Sequence, residues 1–238
     1  MNTHLPPCLS PLQPHWPLPV ALPGAILVST RFDPSALQSD DFTRCAVPAP
    51  PSIQRSVAKR QAEFLAGRLC ARAALRALGG LDQVPAIGED RAPVWPAGVT
   101  GTITHSAGYA AALVAHRGNW RGLGLDAETL LAPERALRLA GEILTPAELQ
   151  RLQAGPPALA ALQVTLTFSL KESLFKALYP LVGTRFYFEH AEMIEWSPNG
   201  QARLRLLTDL SAEFGTGVEL AGQFCVEQDQ LLSLVAVR

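Results

Sequence analysis

The sequence predicts a mixed fold of long helices and short strands. Helix-length segments with apolar residues on one face lie at about 56–78 and 159–179. Strand-patterned segments cluster at 25–30, 99–128 and 203–237. Each half of the chain thus offers one long helix and about three strands, a coarse echo without any short repeat.

Residues 1–23 carry Pro6, Pro7, Pro11, Pro14, Pro17, Pro19 and Pro23. Proline lacks an amide donor and fixes φ, so this stretch predicts an irregular or extended arm laid across the surface. Residues 25–30 read as a short buried strand, and 46–53 as a second proline-rich connection. A long helix is expected from Ser56, a plausible N-cap, to Leu78, stopped by Gly79-Gly80. Its residues Phe64, Leu65, Leu69, Leu75 and Leu78 supply an apolar face, while Arg60, Arg68, Arg72 and Arg76 form a basic stripe. Alone, such a stripe is an ordinary solvated face. Residues 99–104 and 109–115 predict a strand pair around a turn, and 121–128 a third strand. Thr145-Pro146-Ala147-Glu148 is a capping box with proline at the first helical position, which gives Glu148 a structural role. Gly155-Pro156-Pro157 breaks the chain before the helix at 159–179. Residues 203–206, 222–226 and 231–237 alternate in the strand manner.

The chain has 238 residues, enough for one large domain or two small ones, and 48% of them are hydrophobic, which excludes a disordered class. The net charge of −1 excludes a nucleic-acid binder held by bulk positive charge, so any basic site must be local. Cys8, Cys45, Cys70 and Cys225 show no Cys-x-x-Cys spacing and read as reduced thiols of a cytoplasmic protein. No apolar run is long enough for a membrane span, and the N-terminus lacks a signal-peptide pattern.

Two stretches carry the chemistry. Gly122-Leu123-Gly124-Leu125-Asp126-Ala127-Glu128 reads as a strand on which Asp126 and Glu128 share a face. Phe168-Ser169-Leu170-Lys171-Glu172-Ser173-Leu174-Phe175-Lys176 reads as a helix on which Glu172 and Lys176 share a face. Three carboxylates and an ammonium converging on one point suit Mg²⁺, which takes one or two carboxylates and lets substrate phosphates complete its shell. Each motif also has an ordinary reading. An Asp-x-Glu is commonly a solvated strand end, Ser169-x-x-Glu172 fits a capping box, and Glu172/Lys176 fits a surface ion pair.

In this order the two stretches resemble the signature of the larger, single-chain 4′-phosphopantetheinyl transferases: Gly-[Ile/Val/Leu]-Asp-x-Glu followed by [Trp/Phe]-[Ser/Thr]-x-Lys-Glu-[Ser/Ala]-x-x-Lys. Two further elements match in order. Thr102-Ile103-Thr104-His105-Ser106-Ala107-Gly108 is similar to the family's His-Ser-x-Gly segment. Glu63-Phe64-Leu65-Ala66-Gly67-Arg68-Leu69-Cys70-Ala71-Arg72 looks like the helix of the siderophore-synthetase-associated branch. Phe168 stands where many members have Trp, and Ala92 stands before Pro93 where many have Lys, with Arg91 one residue earlier as its substitute.

The resemblance implies two similar α+β halves related by pseudo-twofold symmetry, with the site at their seam. It divides the chain into the arm at 1–23, an N-terminal half at 24–120 and a C-terminal half at 121–238. It implies Mg²⁺-dependent transfer of 4′-phosphopantetheine from coenzyme A to a serine of an apo acyl-carrier or peptidyl-carrier protein, releasing 3′,5′-ADP. Asp126, Glu128 and Glu172 would hold the metal, with Mg²⁺ or Mn²⁺ left open. Glu172 would be the general base, Lys176 would steady the phosphoryl oxygens, and His105 would donate to the pyrophosphate; a hydrogen-bonded turn histidine is the ordinary alternative. Arg60, Arg68, Arg91, Thr104 and Lys171 would add coenzyme contacts. A monomer is the default, since one chain builds the site. The alternatives are a Mg²⁺-dependent phosphohydrolase of coenzyme A-like pyrophosphates and a non-catalytic module that binds coenzyme A or a carrier.

Overall fold

A computed structural model describes residues 4–89 and 91–238. The chain divides into two compact units, one of residues Met1–Trp16 and Leu22–Asn119, the other of Pro17–Ala21 and Trp120–Arg238. Each combines an antiparallel sheet with one long helix, which gives the α+β class. The first three residues of the proline-rich arm lie outside the described residues.

The N-terminal unit contains β1 (Gln13–Pro14), β2 (Ala25–Arg31), the single-turn helices α1 (Asp41–Arg44) and α2 (Pro51–Gln54), and the long helix α3 (Ala58–Gly79). A small ribbon of β3 (Ala86–Ile87) and β4 (Pro93–Val94) precedes the hairpin of β5 (Val99–Ser106) and β6 (Tyr109–His116). The main sheet has the order β1-β2-β6-β5, all antiparallel. The proline-rich arm thus contributes a two-residue edge strand, and its Cys8 and Leu9 are buried. The helix starts two residues after the expected N-cap. Ser56 Oγ donates to the Ser52 carbonyl at 2.7 Å, so its hydroxyl serves α2 and leaves α3 without a side-chain cap. At the other end Gly80 takes a left-handed φ of 74° and closes the last turn onto the Arg76 carbonyl, the stop that Gly79-Gly80 predicts. The α3 face that packs on the sheet includes Gly67, where an added Cβ would lie 2.7 Å from Ile103 Cγ2 on β5.

The C-terminal unit contains β7 (Gly122–Thr129), α4 (Pro133–Ile143), α5 (Pro146–Ala154), the long helix α6 (Ala160–Val182), β8 (Ala191–Ser197), β9 (Gln201–Leu206), β10 (Glu219–Glu227) and β11 (Gln230–Val237). Its sheet runs β7-β11-β10-β9-β8, antiparallel throughout. Leu166, Leu170, Leu174 and Leu178 recur every four residues along α6 and bury one stripe against Leu204, Leu206, Phe224 and Val235. The expected capping box is present: Thr145 Oγ1 accepts from Glu148 N, and Glu148 Oε2 accepts from Thr145 N. Within this same unit, Leu18 of the arm is buried; Val20 N–H donates to the Gln223 side-chain Oε1, and Gln223 Nε2 donates to the Val20 carbonyl, both at 2.9 Å.

Candidate active site

The placement of α6 on β7 begins with glycine. Residues 122, 124, 126 and 128 share one face of β7 and read Gly, Gly, Asp, Glu. A Cβ added at Gly122 would strike the carbonyl oxygen of Ala177, and one at Gly124 that of Ser173. Only glycine allows this approach of helix backbone to strand. Two strand residues advance about 6.8 Å and one helical turn about 5.4 Å, so successive positions on this face of β7 meet successive turns of α6. Beyond the glycines, therefore, Asp126 meets the turn that carries Ser169, and Lys176, about two turns further along α6, reaches it with its long side chain.

Asp126 is nearly buried and held at both oxygens. Lys176 Nζ donates to Oδ1 at 2.7 Å and to the Leu125 carbonyl at 3.1 Å, while Ser169 Oγ donates to Oδ2 at 2.8 Å. Ser169 lies in the helix interior, so it is no N-cap, and the partner found for Lys176 is Asp126. Glu128 and Glu172 flank this pair. Burial, then the Asp126 charge, pushes Glu128 up to about 7; the Glu172 charge adds to this, and Lys176 and Arg135 oppose it. Burial and Asp126 raise Glu172 as well, against Lys176. The three carboxylates are thus close enough to repel one another in a poorly solvated place. Among the described residues, no three His, Cys, Asp or Glu side chains already form a metal cluster. The donor set nonetheless suits a hard divalent cation: its ligands are all oxygen, the carboxylates are in electrostatic excess, and each Asp126 oxygen keeps a lone pair beyond its present partner.

Glu172 also lines a cavity of about 250 Å³ with Phe175, Arg185, Phe186, Tyr187 and Phe188. Lys171 lines this cavity too, with its ammonium engaged by the protein. Its side chain is 2% exposed, and Nζ donates to Glu148 Oε2 at 2.7 Å and to the carbonyls of Ile143 and Phe188 at 2.9 Å. Three acceptors match the three protons of the ammonium, which gives Lys171 a structural role in this arrangement. Glu148 is satisfied in turn by Thr145 N and Met193 N, a structural role that the capping box predicts.

A second site lies in the N-terminal unit. A cavity of about 390 Å³ is lined by Arg60, Arg68, Arg91 and His105, with Glu63, Phe64 and Ile103 among its walls. Arg60 Nη1 donates to His105 Nε2 at 2.8 Å, and His105 Nδ1 lies 3.6 Å from Glu63 Oε2. Since arginine only donates, His105 here accepts at Nε2 and carries its proton on Nδ1. Arg68 is 5% exposed and stacks over the Phe64 ring at 4.9 Å. Its Nε has no hydrogen-bond partner among the described residues. Burial, then Arg60, lowers its pKa to about 10. A buried guanidinium beside a second arginine calls for an anion, and phosphate matches its fork of donors.

The basic stripe of α3 divides. Arg60 and Arg68 reach this cavity, whereas Arg72 is buried with Nη1 donating to the Cys45 carbonyl at 2.6 Å, and Arg76 pairs with Asp82 at 2.6 Å. Thr104 takes a different place. Ile103 and His105 line the cavity, and strand alternation turns the intervening Thr104 to the other face of β5, where it is buried.

The 4′-phosphopantetheinyl transferase N-terminal domain matches residues 49–115, and the 4′-phosphopantetheinyl transferase superfamily matches 122–230. Enterobactin synthase component D of Escherichia coli is 39% identical over 183 residues, covering 77% of this chain and 83% of its own. The 4′-phosphopantetheinyl transferase PptT of Mycobacterium tuberculosis is 34% identical over 229 residues, covering 91% of this chain and 98% of its own. Among solved structures, the holo-[acyl-carrier-protein] synthase of Neisseria meningitidis covers 50% of this chain and 98% of its own, at 25% identity and a TM-score of 0.37. Matched in chain order over both units and along nearly its whole length, the chain belongs to the 4′-phosphopantetheinyl transferase superfamily.

Proposed function

We propose that this protein transfers 4′-phosphopantetheine from coenzyme A to a serine hydroxyl of an apo acyl-carrier or peptidyl-carrier protein and releases 3′,5′-ADP. The observation that carries the proposal is Asp126 clamped by Lys176 between two carboxylates of raised proton affinity.

In the reaction the serine oxygen forms a bond to the phosphorus attached to pantetheine. The bond from that phosphorus to the bridging oxygen breaks, and 3′,5′-ADP leaves with the electron pair. The serine proton needs an acceptor. Glu172 is our assignment, because its burial makes the ionised carboxylate a better base than a solvated one. Lys176 supplies a fixed positive charge for oxygens whose charge grows during transfer. Asp126, Glu128 and Glu172 would hold Mg²⁺, which when bound supplies countercharge to the pyrophosphate. In the N-terminal unit, Arg60 and Arg68 with the neighbouring Arg91 offer donors for the 3′-phosphate end of coenzyme A. His105 takes part through Nε2, which can donate to a phosphate once protonated beside Glu63. On this reading residues 24–120 serve coenzyme binding and 121–238 the metal and the transfer.

The name of the Escherichia coli relative points to siderophore-type carriers as the first substrates to try. The reading includes a cytoplasmic monomer; among the described residues no helix is long and apolar enough to cross a membrane. Release of 3′,5′-ADP with and without an apo carrier tests the proposal. Carrier-dependent release supports transfer. Equal release without carrier would identify a phosphohydrolase, and binding with no release a non-catalytic module.

A further inference from the structure

Asp126 is held by Ser169, and Ser169 is the end of a longer chain of hydroxyls. Ser169, Ser173 and Ser233 are each fully buried. Ser169 Oγ lies 2.8 Å from Ser233 Oγ, and Ser233 Oγ lies 2.8 Å from Ser173 Oγ. Ser173 Oγ also reaches the Ser233 carbonyl at 3.0 Å. Ser233 stands directly opposite Asp126 in the β7–β11 register, so the two side chains share the face that α6 covers.

Each hydroxyl has a single proton, and an ionised carboxylate only accepts. Ser169 therefore directs its proton to Asp126 and accepts from Ser233, while the one proton of Ser173 is shared between Ser233 Oγ and the Ser233 carbonyl. The direction is fixed from Ser233 through Ser169 to Asp126, with Ser173 behind Ser233, and hydrogen bonds in such a series polarise one another. Hydroxyls inside helices usually bond back to a carbonyl one turn earlier. Thr165 and Thr167 of α6 do so, at 2.7 and 2.8 Å to Ala161 and Gln163. Ser169 and Ser173, on the same helix, reach across to the strands.

We infer that Ser169, backed by Ser233 and Ser173, is a positioning residue that fixes the plane of the Asp126 carboxylate for cation binding. With Lys176 on one oxygen and Ser169 on the other, the carboxylate cannot rotate without losing a short hydrogen bond. This rests on reading Asp126 as a metal ligand.

The test measures Mn²⁺ binding to the full chain with coenzyme A present, counting free Mn²⁺ by electron paramagnetic resonance, alongside turnover as a function of Mn²⁺. Ser169→Ala is expected to weaken Mn²⁺ binding about 10- to 100-fold, as removal of an outer-shell partner does, with turnover largely regained at saturating Mn²⁺. Ser169→Thr keeps the hydroxyl and is expected to stay within about threefold of the parent. Wild-type affinity in a folded Ser169→Ala protein, or a Thr variant no better than the Ala variant, would overturn the inference. Should Ser169→Ala fail to fold, Ser233→Ala decides by the same titration: weakening of more than about threefold supports the chain, and unchanged affinity refutes it. Absence of Mn²⁺ binding by the parent protein would overturn the metal reading itself, and this inference with it.

Discussion

Replacing Lys171 separates a structural role from a ligand-binding one. The ammonium is buried against Glu148, which is itself 2% exposed. Lys171→Ala leaves that carboxylate without its countercharge and two carbonyls, of Ile143 and Phe188, without their donor. Breaking a buried pair from one side costs about 3–5 kcal/mol. Glu148 keeps the amides of Thr145 and Met193, which places the expected loss near the lower bound, about 3 kcal/mol. With a urea m-value of about 2–3 kcal/mol/M, the unfolding midpoint falls by roughly 1–1.5 M. Removing both charges in Lys171→Met/Glu148→Gln should restore about 1–2 kcal/mol of that loss, because the isolated buried charge is gone. The assay is equilibrium urea unfolding at neutral pH, together with the coenzyme A affinity of the folded fraction. Stability unchanged with coenzyme A binding lost would refute the reasoning and return Lys171 to the ligand.

Other perturbations probe the remaining parts. Asp126→Ala should abolish metal-dependent transfer with the fold retained, as judged by circular dichroism and turnover, and near-normal turnover would contradict its assignment. Glu172→Gln should keep coenzyme A binding and lower turnover by about 10²–10⁴-fold, the range for a lost general base; unchanged kinetics would exclude that role. Arg68→Ala should weaken coenzyme A more than coenzyme A lacking its 3′-phosphate, a difference that calorimetry resolves. Glu128 predicts a pH effect on the metal-free protein. Its proton is held more tightly in the folded chain, up to about 7, than at its ordinary 4.5. This contribution is complete below pH 4.5 and is lost as pH rises through 7. Allowing for solvent screening at a half-buried group, the loss is on the order of 1–2 kcal/mol. The stability of wild type minus that of Glu128→Gln, measured in EDTA at pH 5 and pH 8, should show that decline, and a flat difference would rule it out.

The elements with local signals were legible in the sequence. Thr145-x-x-Glu148 announced its helix, Gly80 its stop, and the alternation of 99–115 its hairpin. Helix α4 and strand β8 carried weaker signals. Helix α4 has no side-chain cap to mark its start, and in β8 a register shift between Met193 and Glu195 breaks the alternation. Within the site, period pairs Asp126 with Glu128 and Glu172 with Lys176, and the family resemblance of the two motifs joins the pairs. The partner of Lys176 could not, since it is set by how closely α6 approaches Gly122 and Gly124. Lys171 and Thr104 lie inside motifs of functional residues, but their side chains point into buried surroundings. Helix and strand period separates them from their neighbours only once the packed faces are known. Ser233 belongs to no motif and becomes visible only through its register opposite Asp126.

The most direct test of the central claim is the intact mass of an apo carrier protein after incubation with this protein, coenzyme A and Mg²⁺, with and without EDTA. The account predicts a gain of one phosphopantetheine that EDTA and Asp126→Ala both abolish. A carrier mass that stays unchanged for acyl- and peptidyl-carrier substrates alike, or a gain that survives EDTA, would contradict it.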